Sequence, residues 1–192
     1  PGGQARRRRP ALMPAASRAT ARPRAQKPAR TRVKKAPPRR RARLQLSIQN
    51  RSRRRDVPAP AALRRWALAA LPVARDPWQL GIRIVSGQEG AAINRQFRGK
   101  TTATNVLSFP YATHPSVRRC FLGDVVICAP VVAAEAAAEN KPLAAHWAHM
   151  VVHGILHLRG YDHLTEREAR VMEALEARVL RRLGFANPYL IP

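Results

Sequence analysis

Charge divides this chain before any pattern is read. Residues 1–43 hold 16 Lys and Arg and no Asp or Glu, together with 7 Pro and 10 Ala. Such a segment has no apolar periodicity and no means of burying a core, so its composition is that of a disordered basic arm. Folding is thereby confined to residues 44–192, the size of one domain. That part carries 20 basic against 11 acidic residues, so it is itself basic by 9 charges, and the arm supplies the larger share of the formal +25. Both parts are drawn to phosphate-rich partners such as RNA. The arm's composition fits a tether to RNA or a ribosomal surface, an organellar targeting segment, or residues upstream of the native start. Its one serine, Ser17, is fewer than a transit segment usually carries.

Other classes are excluded on elementary grounds. No run of about 18 uncharged apolar residues exists, so no spanning helix is expected. No apolar stretch follows the basic N-terminus in the manner of a secretory signal. Cys120 and Cys128 lie in one apolar run. If that run is a strand they stand roughly 26 Å apart, far beyond the reach of a disulfide. They read as reduced core residues of a cytoplasmic-type compartment.

From residue 44 onward the pattern alternates between strand and helix. Leu44-Gln45-Leu46-Ser47-Ile48-Gln49-Asn50 has the period of a half-buried strand. Residues 58–71 predict a helix that offers Leu63, Trp66, Leu68 and Leu71 to a core, and residues 80–85 alternate again as a second strand. Ser86 with Glu89 has capping-box spacing and opens a short helix through about Phe97. Residues 104–109 and 121–128 predict two further strands, joined by a loop that holds Pro110, His114 and Pro115. Pro130 suits the first turn of a helix running to Asn140. A longer helix spans about 142–158 and stops at Gly160. Thr165 with Glu168 opens the last, which ends near Leu183 and Gly184. Four strands and five helices in this order predict an α/β (α+β) domain with a single sheet.

One segment carries chemistry: His153-Gly154-Ile155-Leu156-His157-Leu158-Arg159-Gly160-Tyr161-Asp162-His163. His153 and His157 stand four apart, so both imidazoles leave one face of the predicted helix a turn apart. Gly160 ends the helix and lets the chain turn, which allows His163 to swing back beside them. Three of the chain's six histidines thus fall within eleven residues. Three neutral imidazoles suit a divalent transition metal, most simply zinc, and leave a fourth position for water. A metal so held lowers the pKa of its water toward 7. His146 and His149 continue the stripe and read as packing or supporting residues rather than ligands. The spacing is also that of the metzincin peptidases, which place a general-base glutamate directly after the first histidine. Here that position is Gly154, so peptidase chemistry would need a glutamate from elsewhere.

In this segment the chain resembles the YbeY-type endoribonucleases, bacterial and organellar rRNA maturation factors. The likeness continues in NRQFRGKTTATNVLSFP (94–110), LGDVVICAPVVAAEA (122–136), HWAHMVVHG and the closing LGFANPY, and covers roughly residues 44–190. The resemblance implies a fold around a mostly four-stranded sheet and a metal, usually taken as zinc, held by three histidines. It also implies cleavage of single-stranded RNA, in 16S rRNA end processing and ribosome quality control. By position the ligands are His153, His157 and His163, and the family's functional arginine falls at Arg98. A guanidinium fork there can hold a scissile phosphate at two points, with Lys100 nearby on the RNA backbone. Thr101 departs from the acidic residue that members often carry at this place. Asp124 reads either as a carboxylate that orients a ligand histidine or as an ordinary strand-start residue. Asp162 reads as a supporting or proton-transferring carboxylate or as a plain turn residue.

The expectation is a metal-dependent, single-strand-specific endoribonuclease acting in rRNA maturation. Its partner would be RNA, as rRNA or a small-subunit precursor, with ribosomal proteins as further partners and no membrane. Its compartment would be cytoplasmic, or organellar if the arm is a transit segment. The rival is an RNA-binding assembly factor whose zinc is structural. No glutamate base is evident, which leaves hydroxide on the metal as the base.

Overall fold

The structure is a computed structural model, and it describes residues 42–111 and 120–190. The arm, apart from Ala42 and Arg43, lies outside the described residues, as do His114 and Pro115. The elements are β1 (Leu44–Asn50), α1 (Pro60–Ala70), β2 (Trp78–Val85), α2 (Gly87–Arg98), β3 (Val106–Pro110), β4 (Phe121–Cys128), α3 (Ala129–Ala138), α4 (Leu143–Leu158) and α5 (Glu166–Leu183). This is the expected order of four strands and five helices. Boundaries differ where side chains intervene. The Asn105 side chain accepts the Val106 amide at 2.7 Å, so β3 starts at Val106 rather than 104. Ala42 packs on the core and Arg43 donates to the Arg75 carbonyl, so two residues given to the arm by composition already belong to the domain.

The strands form one sheet in the order β1-β2-β4-β3. β1, β2 and β4 are parallel, which requires the crossovers that α1 and α2 provide, and β3 closes one edge antiparallel to β4. Alternation then sorts the side chains. Leu80, Ile82, Ile84, Val125, Ile127 and Val106 face one way, into a core with Leu63 and Trp66 of α1, Trp147, Val151 and Ile155 of α4, and Leu180 of α5. Val85, Leu107, Val126 and Cys128 face the other way, against Ile93 of α2 and Val131 of α3. Cys128 is buried, Cys120 is half-buried, and both are free.

α4 is the helix that positions the site. It is apolar nearly all round, and such a helix belongs in the middle of a fold. Trp147, Ala148, Val151, Val152, Ile155 and Leu156 are all at most 1% exposed. Deleting a side chain such as Leu156 to alanine should cost about 2–5 kcal/mol. Past its first turn, its partly open residues are His149, His153 and His157, at four-residue spacing. Gly154 lets the helix lie close on the sheet, since a Cβ there would stand 2.7 Å from Val125 Cγ1 and 3.2 Å from Val106 Cγ2. A glutamate at that position would enter the sheet and not the site. The general-base glutamate of the metzincin pattern therefore has no room at Gly154.

Candidate metal centre

The turn after α4 is built to bring His163 back. Gly160, at φ 86°, donates to the His157 carbonyl at 2.9 Å, and Tyr161 donates to the Leu156 carbonyl at 3.1 Å. Together these are the two bonds of a Schellman motif, which closes the orphan carbonyls of the helix end. Arg159 anchors the turn by donating to the Ala70 carbonyl at 2.6 Å, with its guanidinium 5.1 Å above the Tyr161 ring. The Thr165–Glu168 capping box then starts α5 with both of its hydrogen bonds made. In α2 the corresponding Ser86 caps the Glu89 amide, but the Glu89 carboxylate pairs with Arg83 instead of closing the box.

One nitrogen from each of His153, His157 and His163 lies within 4.8 Å of the other two. His153 Nε2 and His157 Nε2 are 3.0 Å apart. Two nitrogens bound tetrahedrally to one zinc at about 2.0–2.1 Å would stand about 3.3 Å apart, so this donor set fits a single ion. Burial, then the neighbouring His153 and His163, push the His157 imidazole toward its neutral, ligating form, against a weaker opposing pull from Asp162. A cavity of about 460 Å³ opens beside the three rings. Arg98, Asn105, Ser108 and Asp162 line it with them. Arg98 thus reaches the site from the last turn of α2, and Ser108 fixes the β3 edge to α4 by donating to the Gly154 carbonyl at 3.0 Å.

The other residues named from sequence fall as follows. Asp162 stands 3.9 Å from His157 Nδ1, too far for a hydrogen bond, and accepts the His163 amide at 2.8 Å. Lys100 is exposed beyond the helix-ending Gly99 and does not line the cavity. Asp124 requires a correction: it does not orient a histidine. Leu122 faces the α4 core, and simple alternation would carry Asp124 to the same side. The register shifts between Gln79 and Leu80, where Leu122 goes unpaired, and that bulge turns Asp124 to the opposite face. There it shares a groove with Ser47, Gln49, Arg83 and Phe109.

Sequence reasoning missed Glu176. This α5 residue is 0% exposed, and its Oε1 lies 2.9 Å from His153 Nδ1 while Oε2 lies 2.8 Å from His149 Nε2. The Tyr189 hydroxyl donates to Oε2 as well. Burial alone would raise the Glu176 carboxyl, but the hydrogen bonds from His149 and His153 prevail and lower it to about 2. The Tyr189 hydroxyl is pushed up by burial first and by Glu176 second. His149, His153 and Glu176 form a second group within metal-binding range. Their separations are those of ordinary hydrogen bonds, so the carboxylate already fills the role an ion would take. A parallel pair lies further up α4, where His146 Nε2 meets Glu135 Oε2 at 2.8 Å and Asn105 donates to the same carboxylate at 3.1 Å.

The profile of the family described as Endoribonuclease YbeY matches residues 47–184. Endoribonuclease YbeY of Methylococcus capsulatus is 56% identical over 133 residues, covering 69% of this chain and 87% of its own length. The protein of that name from Nitrosomonas eutropha is 45% identical over 146 residues, 76% of this chain and 99% of its own. The one from Nitrosomonas europaea is 47% identical over 148 residues, 77% and 86% respectively.

Proposed function

The chain belongs to the YbeY family of endoribonucleases, and from that premise we propose that it cleaves single-stranded RNA in rRNA maturation through the cavity beside His153, His157 and His163. The family is metal-dependent, and its known role is the maturation of rRNA. The observation that carries the assignment is the convergence of three imidazole nitrogens and Arg98 on one open cavity. His153, His157 and His163 would hold one divalent ion, with zinc favoured by an all-imidazole set. When bound, that ion supplies a Lewis acid and lowers the pKa of water beside it.

The chain's own groups do the rest. Arg98 would hold the non-bridging oxygens of the scissile phosphate with its planar fork and meet the charge that grows there in the transition state. Asp162 is the cavity's carboxylate and the group available to take a proton. Lys100, exposed nearby, would follow the RNA backbone without touching the reacting atoms. Residues 1–43 would add a sequence-independent grip on RNA or on a ribosomal surface. Such a substrate implies a cytoplasmic compartment, or an organelle if the arm directs it there. Among the described residues no helix is long and apolar enough to cross a membrane.

A purely structural zinc calls for four protein ligands. Among the described residues no fourth His, Cys, Asp or Glu joins the three histidines, which favours the catalytic reading over the assembly factor. The test is cleavage of a single-stranded RNA by the protein as purified, after chelation, and after zinc is returned. Activity should vanish with the metal and return with it. Undiminished cleavage by protein shown to be metal-free would overturn the proposal.

A further inference from the structure

The proposed chemistry uses no residue of α5, although Glu176 there is shut off from solvent. We propose that Glu176 is a positioning residue that holds His153 for the metal, and that Tyr189 holds Glu176 in turn; this rests on the three-histidine reading above. In a neutral imidazole, the hydrogen bond made by one nitrogen decides which nitrogen carries the proton. An ionised carboxylate only accepts. Glu176 Oε1, 2.9 Å from His153 Nδ1, therefore fixes the proton on Nδ1 and leaves the lone pair on Nε2. That Nε2 is the atom 3.0 Å from His157 Nε2. The bond also locks the ring plane, so the lone pair is aimed before any ion arrives.

The carboxylate is itself over-determined. Oε2 receives His149 Nε2 and the Tyr189 hydroxyl, so three donors from α4 and the C-terminal segment converge on one acid. Those three bonds fix the orientation of the carboxylate and leave Oε1 aimed at His153 Nδ1. Tyr189 thereby ties the closing residues of the domain, just after the Asn187–Pro188 turn, to the geometry of a ligand on α4. Carboxylates that orient metal-bound histidines in this way typically account for 10–100-fold in metal affinity.

The experiment measures zinc affinity of the full chain by competition with a chelating indicator, and reads ring protonation of metal-free protein by long-range proton–nitrogen NMR. Glu176→Gln should weaken zinc binding by about 10–100-fold, and His153 should lose its single Nδ1-protonated form. Tyr189→Phe should weaken binding less, in the same direction, and should add nothing in the double variant. His157→Ala is the control for the site itself. If His157→Ala binds zinc like wild type, the three-histidine reading has failed, and the positioning role fails with it. If His157→Ala loses zinc while Glu176→Gln keeps wild-type affinity and tautomer, only the positioning role is overturned. Should Glu176→Gln not fold, Tyr189→Phe decides, and wild-type affinity there would overturn the role.

Discussion

Helix α4 carries four histidines, and its two halves put the same side chain to different uses. In the first half, His146 and His149 each give Nε2 to a carboxylate, Glu135 or Glu176, and each buries an Nδ1 that has no partner among the described residues. In the second half, His153 and His157 turn Nε2 toward one another, with His163 beside them. Spacing along the helix does not separate the two sets. The neighbour does. A carboxylate supplied from α3 or α5 turns an imidazole into a structural donor, whereas a gap left in the same stripe leaves its nitrogen facing another imidazole. His153 belongs to both halves, bound to an acid through Nδ1 and facing His157 through Nε2.

The largest effect that can break this comparison is on bound metal. His157→Ala should leave the protein with almost no zinc after dialysis and reduce RNA cleavage to background, since two imidazoles hold a catalytic ion poorly. His146→Ala should keep both zinc and cleavage. Its cost should appear in melting, because the buried half of the Glu135 pair is lost, at about 1–3 kcal/mol. Elemental analysis and thermal unfolding of the two variants side by side decide it. The reverse pattern would mean that the first half of the helix holds the ion.

Next in size is Arg98, which sharpens the comparison by separating holding a metal from using it. Arg98→Ala should slow single-turnover cleavage at saturating protein by about 10² or more, the scale for losing one preorganised charge-stabilising donor. Zinc content and melting should hardly change, because Arg98 is exposed and is neither ligand nor core. Arg98→Lys should rescue little, for an ammonium lacks the planar two-point contact. A wild-type rate in Arg98→Ala would remove this residue from the chemistry.

The parts of the molecule that were legible from sequence are those fixed by near neighbours. The Thr165–Glu168 box, the stop at Gly160 and the alternation of β1 and β2 depend on residues a few positions apart, and all appear in the fold. The three histidines were legible for the same reason, since a helical turn and one glycine bring them together. Glu176 was not, because its partners lie 23 and 27 residues away on another helix. One signal did exist: Glu176 sits on the apolar stripe of α5 with Met172, Val179 and Leu180, where an acid needs a buried partner. Of the two readings of Asp124 the orienting one fails, because the unpaired Leu122 reverses which side Asp124 faces; the mark of that bulge in the sequence is Gly123, at φ 132°. Arg98 came into view only through family resemblance, as a helix-end arginine looks like any solvated charge.

The smallest expected effect tests how far the neighbour rule extends. Asp162 and Glu176 are both carboxylates close to a proposed ligand histidine, on Nδ1 in each case, yet one is in contact and the other is not. Glu176 meets His153 at 2.9 Å and is buried, while Asp162 stands 3.9 Å from His157 and its side chain is 45% exposed. An exposed charge pair at such a distance contributes about 1 kcal/mol or less. Asp162 is also occupied elsewhere, since it accepts the His163 amide and shapes the turn, a task that the asparagine oxygen performs equally well. Asp162→Asn should therefore weaken zinc binding by no more than about fivefold, the most that such a pair can supply, against the larger loss in Glu176→Gln. The His153 and His157 tautomers should stay as they are in wild type. If proton transfer to Asp162 limits cleavage, the rate will fall while zinc affinity holds, and the pH dependence of the rate will change with it. A loss of affinity as large as that of Glu176→Gln would show that contact and burial do not separate the two acids, and that charge near the ring is enough.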